Sequence, residues 1–291
     1  MSAPFRVRNR PRWPSVLAVV GPTASGKTAL AIELAERLGT EVISADSMQV
    51  YKGLEIGTGA PTPEQQRRVK HHFISFLDPR EPYSAGAFGE AARAVVGELN
   101  ARGKVAVVVG GSGLYVQALI DGLFPGPGKN ESIRLRLHEE ATKGGPEPLY
   151  RRLQATDPDY ARVVRPGDIR RIVRGLEVYE LTGQPISKLH EAHRNTAPVP
   201  PAVQVALDYA RKVLYERINC RVDRMLEMGF LAEVRVLIDR GYFGRLGELR
   251  ALGYLELASY LRGERSLEDA IETTKRNTRR YAKRQLSWFR H

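Results

Sequence analysis

The chain of 291 residues is poor in cysteine and has no long apolar run, and both absences narrow the classes to which it can belong. A single cysteine, Cys220, excludes an internal disulfide framework and a zinc site built from several cysteines. Without an apolar stretch of about 20 residues the sequence predicts no membrane-spanning helix, and its start lacks the apolar core of a signal peptide. We therefore expect a cytoplasmic protein without a membrane partner. Cys220 follows Leu214 and Ile218 in a helical pattern, which predicts a buried, unreactive thiol.

Acidic residues are the scarcer charged class. Lys and Arg total 45 against 33 Asp and Glu, which gives a formal net charge of +12. Such an excess favours a polyanionic partner larger than a nucleotide, although a generally basic protein without that partner fits the charge equally well. The length exceeds that of one small nucleotide-kinase domain, so we expect a core with a sizeable insertion or appendage.

The most informative motif lies near the N-terminus, between an apolar run and a helical pattern. It matches the G-x-x-x-x-G-K-[ST] pattern of a phosphate-binding loop and consists of Gly21, Pro22, Thr23, Ala24, Ser25, Gly26, Lys27 and Thr28. The glycines let the backbone wrap an anion, while the amides, the helix N-terminus and the ammonium of Lys27 supply positive charge. Thr28 carries a hydroxyl suited to Mg²⁺. The pattern predicts that a diphosphate or polyphosphate binds here.

Strand-like runs and helical patterns alternate through the chain. The runs cover residues 16–20, 41–44, 72–76, 105–109 and 203–207, with helical patterns over 27–38 and 87–101. This alternation predicts an α/β fold with a P-loop NTPase-like parallel sheet flanked by helices. From about residue 133 to about 193 the sequence is helical and rich in arginine. We predict a core of residues 1–124 and 200–291 that ends in C-terminal helices, with a helical insertion domain over 125–199.

Two further segments follow strand-like runs, where an open α/β sheet binds its ligands. Asp46 comes directly after the second run, in a position to act as a general base or to hold Mg²⁺. A turn or a helix cap is an equally common use of Asp at such a place. Gly110, Gly111, Ser112 and Gly113 follow the run over 105–109; their glycines permit close approach of the backbone to a ligand, and Ser112 adds a hydroxyl.

Two basic clusters stand out on predicted helices. The first consists of Arg170, Arg171 and Arg174, and the second of Arg276, Arg279, Arg280, Lys283 and Arg284. Charge runs are usually solvated faces, but like charges four residues apart on a helix are mildly destabilising without a counter-anion. Two such stripes favour a phosphate backbone as the partner.

The motifs taken together resemble the bacterial-type tRNA dimethylallyltransferases, also called the tRNA isopentenyltransferase family. The resemblance runs from about Val16 to Arg290 and rests on GPTASGKT, ISADSMQVYKGLEIGTGAP, HHFISFLDP, GGSGLYVQALIDGL, RRIVRGLEVYELTG, ALGYLEL and NTRRYAKRQLSWFR. Because the motifs keep the family's order over nearly the whole chain, their combination is far more specific than any one of them.

The resemblance implies a reaction. The loop is expected to hold the diphosphate of dimethylallyl diphosphate with the help of Mg²⁺. The acceptor is expected to be the exocyclic amine of the adenosine just 3′ of the anticodon in tRNA. Asp46 would be the general base, Lys27 would stabilise the departing diphosphate, and Thr23 and Ser112 would orient the substrates.

The resemblance also implies which residues contact the anticodon stem-loop of tRNA, and it is compatible with a protein that acts as a monomer. These residues are Asp46, Ser47, Met48, Gln49, Ser112, Arg134, Arg170, Arg171, Arg174, Arg250, Gly253, Tyr254, Arg280, Lys283, Arg284 and Gln285. The insertion domain would take part in that contact.

Three other functions remain open from the residues alone. A small-molecule kinase of the P-loop type would bind ATP at the same loop and would not require the arginine stripes. An adenylate isopentenyltransferase acting on free AMP or ATP would have less need of the insertion. A non-catalytic RNA-binding P-loop module would explain the charge and the loop, but it would leave Asp46 without a role.

Overall fold

The computed structural model describes residues 14–124, 126–196 and 201–290, and its sheet confirms the predicted α/β fold. The described sheet has five parallel strands in the order β3-β2-β4-β1-β5. The strands are β1 (Val16–Val20), β2 (Val42–Ser44), β3 (His71–His72), β4 (Ala106–Gly110) and β5 (Ala202–Ala206).

The chain divides into two compact units. The first comprises Met1–Ile120 and Pro200–His291 and contains the sheet; the second comprises Asp121–Val199. The helices of the first unit are α1 (Lys27–Leu38), α2 (Glu55–Thr58), α3 (Pro63–Arg68), α4 (Ala85–Ala101), α5 (Gly113–Ile120), α11 (Arg211–Glu227), α12 (Phe230–Asp239), α13 (Phe243–Leu249), α14 (Tyr254–Leu261) and α15 (Leu267–Phe289). Those of the second are α6 (Glu131–Gly144), α7 (Glu147–Thr156), α8 (Pro158–Val163), α9 (Ile169–Thr182) and α10 (Ile186–Thr196).

Helices cover both faces of the central strands, whose successive side chains point to opposite sides. Ala18 belongs to a buried cluster with Phe88 of α4, whereas its neighbour Val19 belongs to one with Ile32 of α1. Burial on both faces explains the near-continuous apolar runs of the central strands, whereas β5 at the edge is largely exposed. The carboxyl ends of β1, β2 and β4 all lead into loops at one edge of this sheet.

The strand predicted over 72–76 is wrong in its length. Only His71 and His72 pair with β2. The backbone then turns left-handed at Phe73 (φ 63°) and Ser75 (φ 47°), which takes the chain out of the extended conformation that a strand requires. The apolar residues that resembled a strand pack in a loop instead, where the rings of Phe73 and Phe88 lie 5.2 Å apart.

Cys220 is exposed, which corrects the prediction of a buried thiol. The buried stripe of α11 consists of Leu214, Ile218, Val222 and Met225. Cys220 lies two residues after Ile218 and is therefore rotated by about 200° from it around the helix. The apolar spacing predicts the helix and its buried stripe, but Cys220 lies on the exposed face of that helix.

The second unit is helical throughout its described residues and is organised around a buried carboxylate. Glu177 of α9 is fully buried and accepts hydrogen bonds from Arg134 Nε (2.7 Å), Arg174 Nη1 (2.7 Å) and the backbone N–H of Asn130 (2.8 Å). Burial alone would raise the pKa of Glu177, but these donors lower it to about 2. The charges of Arg134 and Arg174 are therefore engaged within the unit, which reduces what either offers to a phosphate.

Glu177 is expected to make the stability of this unit depend on pH. Its pKa is depressed from 4.5 to about 2 in the folded protein, so the ionised carboxylate stabilises the fold above pH 4.5 and this contribution disappears as the pH falls toward 2. Its size is about 3 kcal/mol. We expect Glu177→Gln to be less stable at neutral pH and to lack this acid dependence, as measured by urea unfolding at several pH values. Glu41 has a similarly lowered pKa and makes its own contribution to the acid dependence. The role of Glu177 is therefore given by the difference in unfolding free energy between the parent protein and Glu177→Gln at each pH.

Candidate active site

The phosphate-binding loop has the strained backbone that close wrapping of an anion requires. Gly21 (φ 139°), Ala24 (φ 63°) and Gly26 (φ 89°) all have positive φ. A Cβ atom on Gly21 would lie 2.8 Å from the carbonyl oxygen of Leu207, so only glycine fits there. Gly26 caps α1 without a side-chain hydrogen bond, which leaves the amides of the first helical turn available to an anion.

Lys27 begins α1, and its ammonium has an unusual environment. Its Nζ donates to the carbonyl oxygen of Pro22 at 2.6 Å. Burial, reinforced by the nearby charge of Arg221, lowers the pKa of Lys27 to about 8, although Asp46 acts in the opposite direction. Lys27 and Arg221 are two cations whose nearby acid, among the described residues, is Asp46 alone. Such an excess of positive charge favours a multiply charged anionic ligand.

Asp46 makes a local turn contact and also lies on the wall of a cavity. Its Oδ1 accepts the backbone N–H of Met48 at 2.9 Å, which is a local turn contact. The same side chain lines a cavity with Lys27, Thr28 and Arg221. The turn fixes the direction of the carboxylate toward that cavity.

Ser112 lies beside the segment that follows Asp46. Its Oγ accepts the backbone N–H of Ser47 at 3.1 Å and lies 3.3 Å from the hydroxyl of Ser47. Ser47 lines the cavity. The hydroxyl of Ser112 therefore joins the loop after β4 to the loop after β2, two loops that the sequence predicted to form walls of one site.

Gln285 of α15 ties the phosphate-binding loop to the loop after β4. Its Oε1 accepts the backbone N–H of Thr23 at 2.8 Å, and its Nε2 donates to the carbonyl oxygen of Gly111 at 2.9 Å. The side chain is buried. A Cβ atom on Gly111 would lie 2.2 Å from Nε2, which explains the glycine. The sequence had suggested Gln285 for tRNA contact; in the structure both ends of its amide hold loops.

A cavity of about 450 Å³ lies at the carboxyl edge of the sheet, within the first unit. Its polar part includes Thr23, Lys27, Thr28, Asp46, Ser47, Gln49, Arg221, Arg250, Tyr281, Arg284 and Gln285. Its apolar part includes Met48, Val109, Val222, Met225, Phe230, Leu249, Ala251 and Leu252. An anion site and an apolar wall therefore share one enclosure.

Arg221 and Tyr281 are the main site residues that the sequence did not reveal. The Nη2 of Arg221 donates to the carbonyl oxygen of Thr58 at 3.0 Å, which holds the guanidinium beside Lys27. Burial raises the pKa of Tyr281 to about 12, and the charge of Asp46 acts in the same direction. One signal was available: Arg217 and Arg221 are four residues apart, like the predicted stripes, and Arg217 Nε donates to the carbonyl oxygen of Ala24 at 2.8 Å.

Gly253 and Tyr254, predicted to contact tRNA, have structural contacts. Tyr254 is 1% exposed, and its hydroxyl donates to Glu233 Oε1 at 2.7 Å. Glu233 also accepts the backbone N–H groups of Ile56 (2.8 Å) and Gly57 (3.0 Å). Since Gly57 and Tyr254 line the cavity, this network sets the shape of its wall.

The predicted arginine stripes differ in what surrounds them. Arg276, Arg280, Lys283 and Arg284 are exposed on α15, and none of the four has an ion pair with a described residue. In the second unit, Arg170 and Arg171 are exposed, and Arg171 lies 3.5 Å from Asp168. Arg250 has a left-handed backbone (φ 52°), a strained conformation for a residue with a side chain and one that is typical of functional sites.

The fold and the site together define a P-loop-type α/β protein whose anion site opens into an apolar cavity. No group of three or more His, Cys, Asp or Glu in the described part of the chain could enclose a metal ion by itself. None of the described helices combines the length and the apolar character needed to cross a membrane.

Comparisons with known proteins give the family. The family described as IPP transferase matches residues 49–291. The tRNA dimethylallyltransferase 2 of Syntrophus aciditrophicus is 47% identical over 276 residues, which are 95% of this chain and 89% of that one. The tRNA dimethylallyltransferase of Geobacter metallireducens is 46% identical over 275 residues, 94% and 89% of the two chains. The chain belongs to the IPP transferase family, as its motifs predicted.

Two solved structures are similar to this chain. The tRNA isopentenylpyrophosphate transferase from Bacillus halodurans has 42% identity and a TM-score of 0.68, covering 95% of this chain and 86% of that one. A eukaryotic dimethylallyltransferase studied while acting on tRNA has 31% identity and a TM-score of 0.76, covering 94% and 69%.

Proposed function

We propose that this protein transfers the dimethylallyl group of dimethylallyl diphosphate to the exocyclic amine of the adenosine 3′ of the anticodon in tRNA, with release of diphosphate. The observation that carries the proposal is one cavity that contains Lys27, Arg221 and Asp46 together with an apolar wall. A kinase site has no need of that wall, whereas a branched C5 group does. The names of its relatives support the same reaction.

The transfer breaks the C–O bond between the dimethylallyl group and diphosphate and forms a C–N bond to adenine. Negative charge grows on the diphosphate as it leaves. The amides of the loop, Lys27 and Arg221 stabilise that charge in a partly buried site, where such interactions are stronger than in water. Met48, Val222 and Met225 contact the dimethylallyl group and exclude water from it.

The attacking amine loses one proton, and Asp46 accepts it. One oxygen of Asp46 is held by the N–H of Met48, which orients the carboxylate. Thr23 and Ser47 are hydrogen-bonding groups that line the cavity, and Ser112 accepts the backbone N–H of Ser47. In this mechanism Asp46 receives the proton, while the diphosphate stays at the phosphate-binding loop of the same cavity.

The residues of the loop suit Mg²⁺. This ion takes oxygen ligands and usually keeps waters and substrate phosphates rather than an all-protein cage, so the single hydroxyl of Thr28 beside a diphosphate is a fitting donor set. Thr28 would hold the ion together with the diphosphate, and the bound ion would neutralise charge on the leaving group.

The acceptor must reach the cavity as an unstacked base. A base stacked in an anticodon loop hides its edge, so the adenosine has to be extruded, as base-modifying enzymes generally require. The exposed cations of α15 and of the second unit would bind the surrounding phosphates. We also propose that the protein acts as a monomer and in the cytoplasm, where its tRNA substrate would be met.

Replacing Arg280 and Arg284 together with Ala is expected to weaken tRNA binding and to reduce its salt dependence. Each lost phosphate contact lowers the slope of log K against log salt by roughly 0.7–0.9. Affinity for dimethylallyl diphosphate should change much less, because neither residue belongs to the phosphate-binding loop, although Arg284 lines the same cavity. Filter binding of tRNA at several salt concentrations measures the slope.

The matched control removes two positive charges at the opposite edge of the sheet. Arg37 lies in the last turn of α1, and Lys104 precedes β4. Arg37→Ala with Lys104→Ala should leave the slope unchanged. If the slope is also unchanged in the variant that lacks Arg280 and Arg284, these cations of α15 are exposed to solvent and do not contact the phosphates of tRNA.

The proposed acceptor is tested by following the label of dimethylallyl diphosphate in the presence of tRNA, AMP or ATP. The proposal predicts labelled tRNA and no labelled mononucleotide. Label on AMP or ATP would indicate an adenylate isopentenyltransferase, and release of ADP from ATP would indicate a kinase.

A further inference from the structure

A second cavity of about 280 Å³ lies where the start of α11 meets the end of α15. Its apolar floor is formed by Leu214 and Leu286, and Tyr209, Arg211, Tyr215 and Lys283 stand around it. None of these residues except Lys283 has a part in the reaction described so far. A cavity that combines tyrosines, cations and an apolar floor has the composition of a site for a nucleotide.

The second cavity is a neighbour of the active site. Tyr281 and Gln285 of α15 line the active-site cavity, while Lys283 and Leu286 line the second one. Lys283 is rotated by about 200° from Tyr281 around the helix, so the cavities lie on opposite sides of α15, about 10 Å apart. A strand that passes around α15 from one cavity to the other needs a few nucleotides, since an extended strand spans up to about 7 Å for each nucleotide, or twice the 3.4 Å stacking rise.

Two of the three cations that line this cavity have no ion pair with a described residue. Arg211 and Lys283 are exposed and have no ion pair with a described residue, whereas Arg290 pairs with Asp208 at 2.9 Å. Grouped cations at the mouth of a cavity create a potential that attracts a phosphate. The net charge of +12 and the exposed cations of α15 point to the same class of ligand.

A guanidinium group lies over each of the two tyrosine rings. The Cζ of Arg217 lies 5.1 Å from the centre of the Tyr209 ring, and the Cζ of Arg279 lies 6.0 Å from that of Tyr215. Arg279 is itself fixed by Asn219 at 2.7 Å. These cation–π contacts restrict the two rings, so the rings lose little further conformational freedom when a base packs on them.

We propose that the second cavity binds one nucleotide of the RNA substrate, a few positions from the adenosine that enters the active site. The base packs against Tyr209 and Tyr215, and Arg211 and Lys283 bind the phosphate. This inference rests on the proposed function, because it takes RNA as the substrate. Holding the neighbouring nucleotide outside the stack would help to keep the target base extruded.

The test measures binding of an anticodon stem-loop RNA by fluorescence anisotropy. Tyr215→Leu keeps apolar bulk but lacks a ring, and we expect it to weaken binding roughly 5- to 150-fold. Tyr215→Phe keeps the ring and should bind like the parent protein. Arg211→Ala with Lys283→Ala should lower the salt slope by about 0.7 for each lost phosphate contact. Both parts together support the nucleotide site.

Unchanged RNA affinity in the Tyr215→Leu protein and in the double variant, with folding intact by circular dichroism, would overturn the inference. So would AMP that binds this cavity as tightly as the RNA does, because the site would then serve a free mononucleotide. If the proposed function is wrong, the parent protein binds no RNA or transfers no dimethylallyl group. If only the present inference is wrong, the parent protein still does both.

Discussion

Replacing Asp46 with Asn is expected to lower the rate of prenyl transfer by ~10²–10⁴, the usual contribution of a positioned acid or base. Asn keeps the size of Asp and can still accept the N–H of Met48 through its amide oxygen, so the local turn survives. It cannot accept the proton of the attacking amine. Single-turnover transfer to tRNA measures the chemical step directly.

Binding measurements separate this role from a structural one. Affinities for tRNA and for dimethylallyl diphosphate should stay within a small factor, because neither needs the carboxylate in the ground state. Asn caps a helix or a turn nearly as well as Asp. An Asp46→Asn protein that remains active would therefore return Asp46 to a purely structural role.

Lys27→Ala is expected to lower the rate by ~10²–10³, as the loss of one preorganised donor at a developing negative charge typically does. In the proposed reaction the ammonium would stabilise the charge that grows on the diphosphate, and Arg221 would be the only other cation near it in the described part of the cavity that affects its pKa. Turnover of dimethylallyl diphosphate and tRNA measures the effect. Near-normal turnover by a folded variant would contradict the assignment of diphosphate to this loop.

The lowered pKa of Lys27 adds a pH signature to that experiment. In the free protein the ammonium loses its proton as the pH rises through about 8. Because diphosphate binds the charged form, affinity for dimethylallyl diphosphate should fall from about pH 7 to about pH 9. The Lys27→Ala protein should lack this dependence, which distinguishes Lys27 from other groups that titrate in the same range.

The features that local sequence determines could be predicted. The phosphate-binding loop needs only its glycines, Lys27 and the flanking strand and helix, all within a few residues. Asp46 and Ser112 follow strands that are neighbours in the sheet, so the rule for open α/β sheets placed them on one site.

The remaining site residues depend on long-range packing. Gln285 lies 262 residues from Thr23, whose amide it accepts, and no local pattern indicates that contact. Arg221 reaches Lys27 only because α11 packs against the phosphate-binding loop. Arg134 and Arg174 looked like free cations because the acid that holds them, Glu177, reads in the sequence as an ordinary helical residue.

A double-labelling experiment tests the central claim most directly. Protein loaded with dimethylallyl diphosphate, labelled either in the prenyl group or in the diphosphate, is mixed with tRNA, and the tRNA is digested to nucleosides. The account predicts prenyl label on the exocyclic nitrogen of one adenosine, matched mole for mole by diphosphate label in solution. Phosphate label on the tRNA, or prenyl label in water as the free alcohol without modified adenosine, would contradict it.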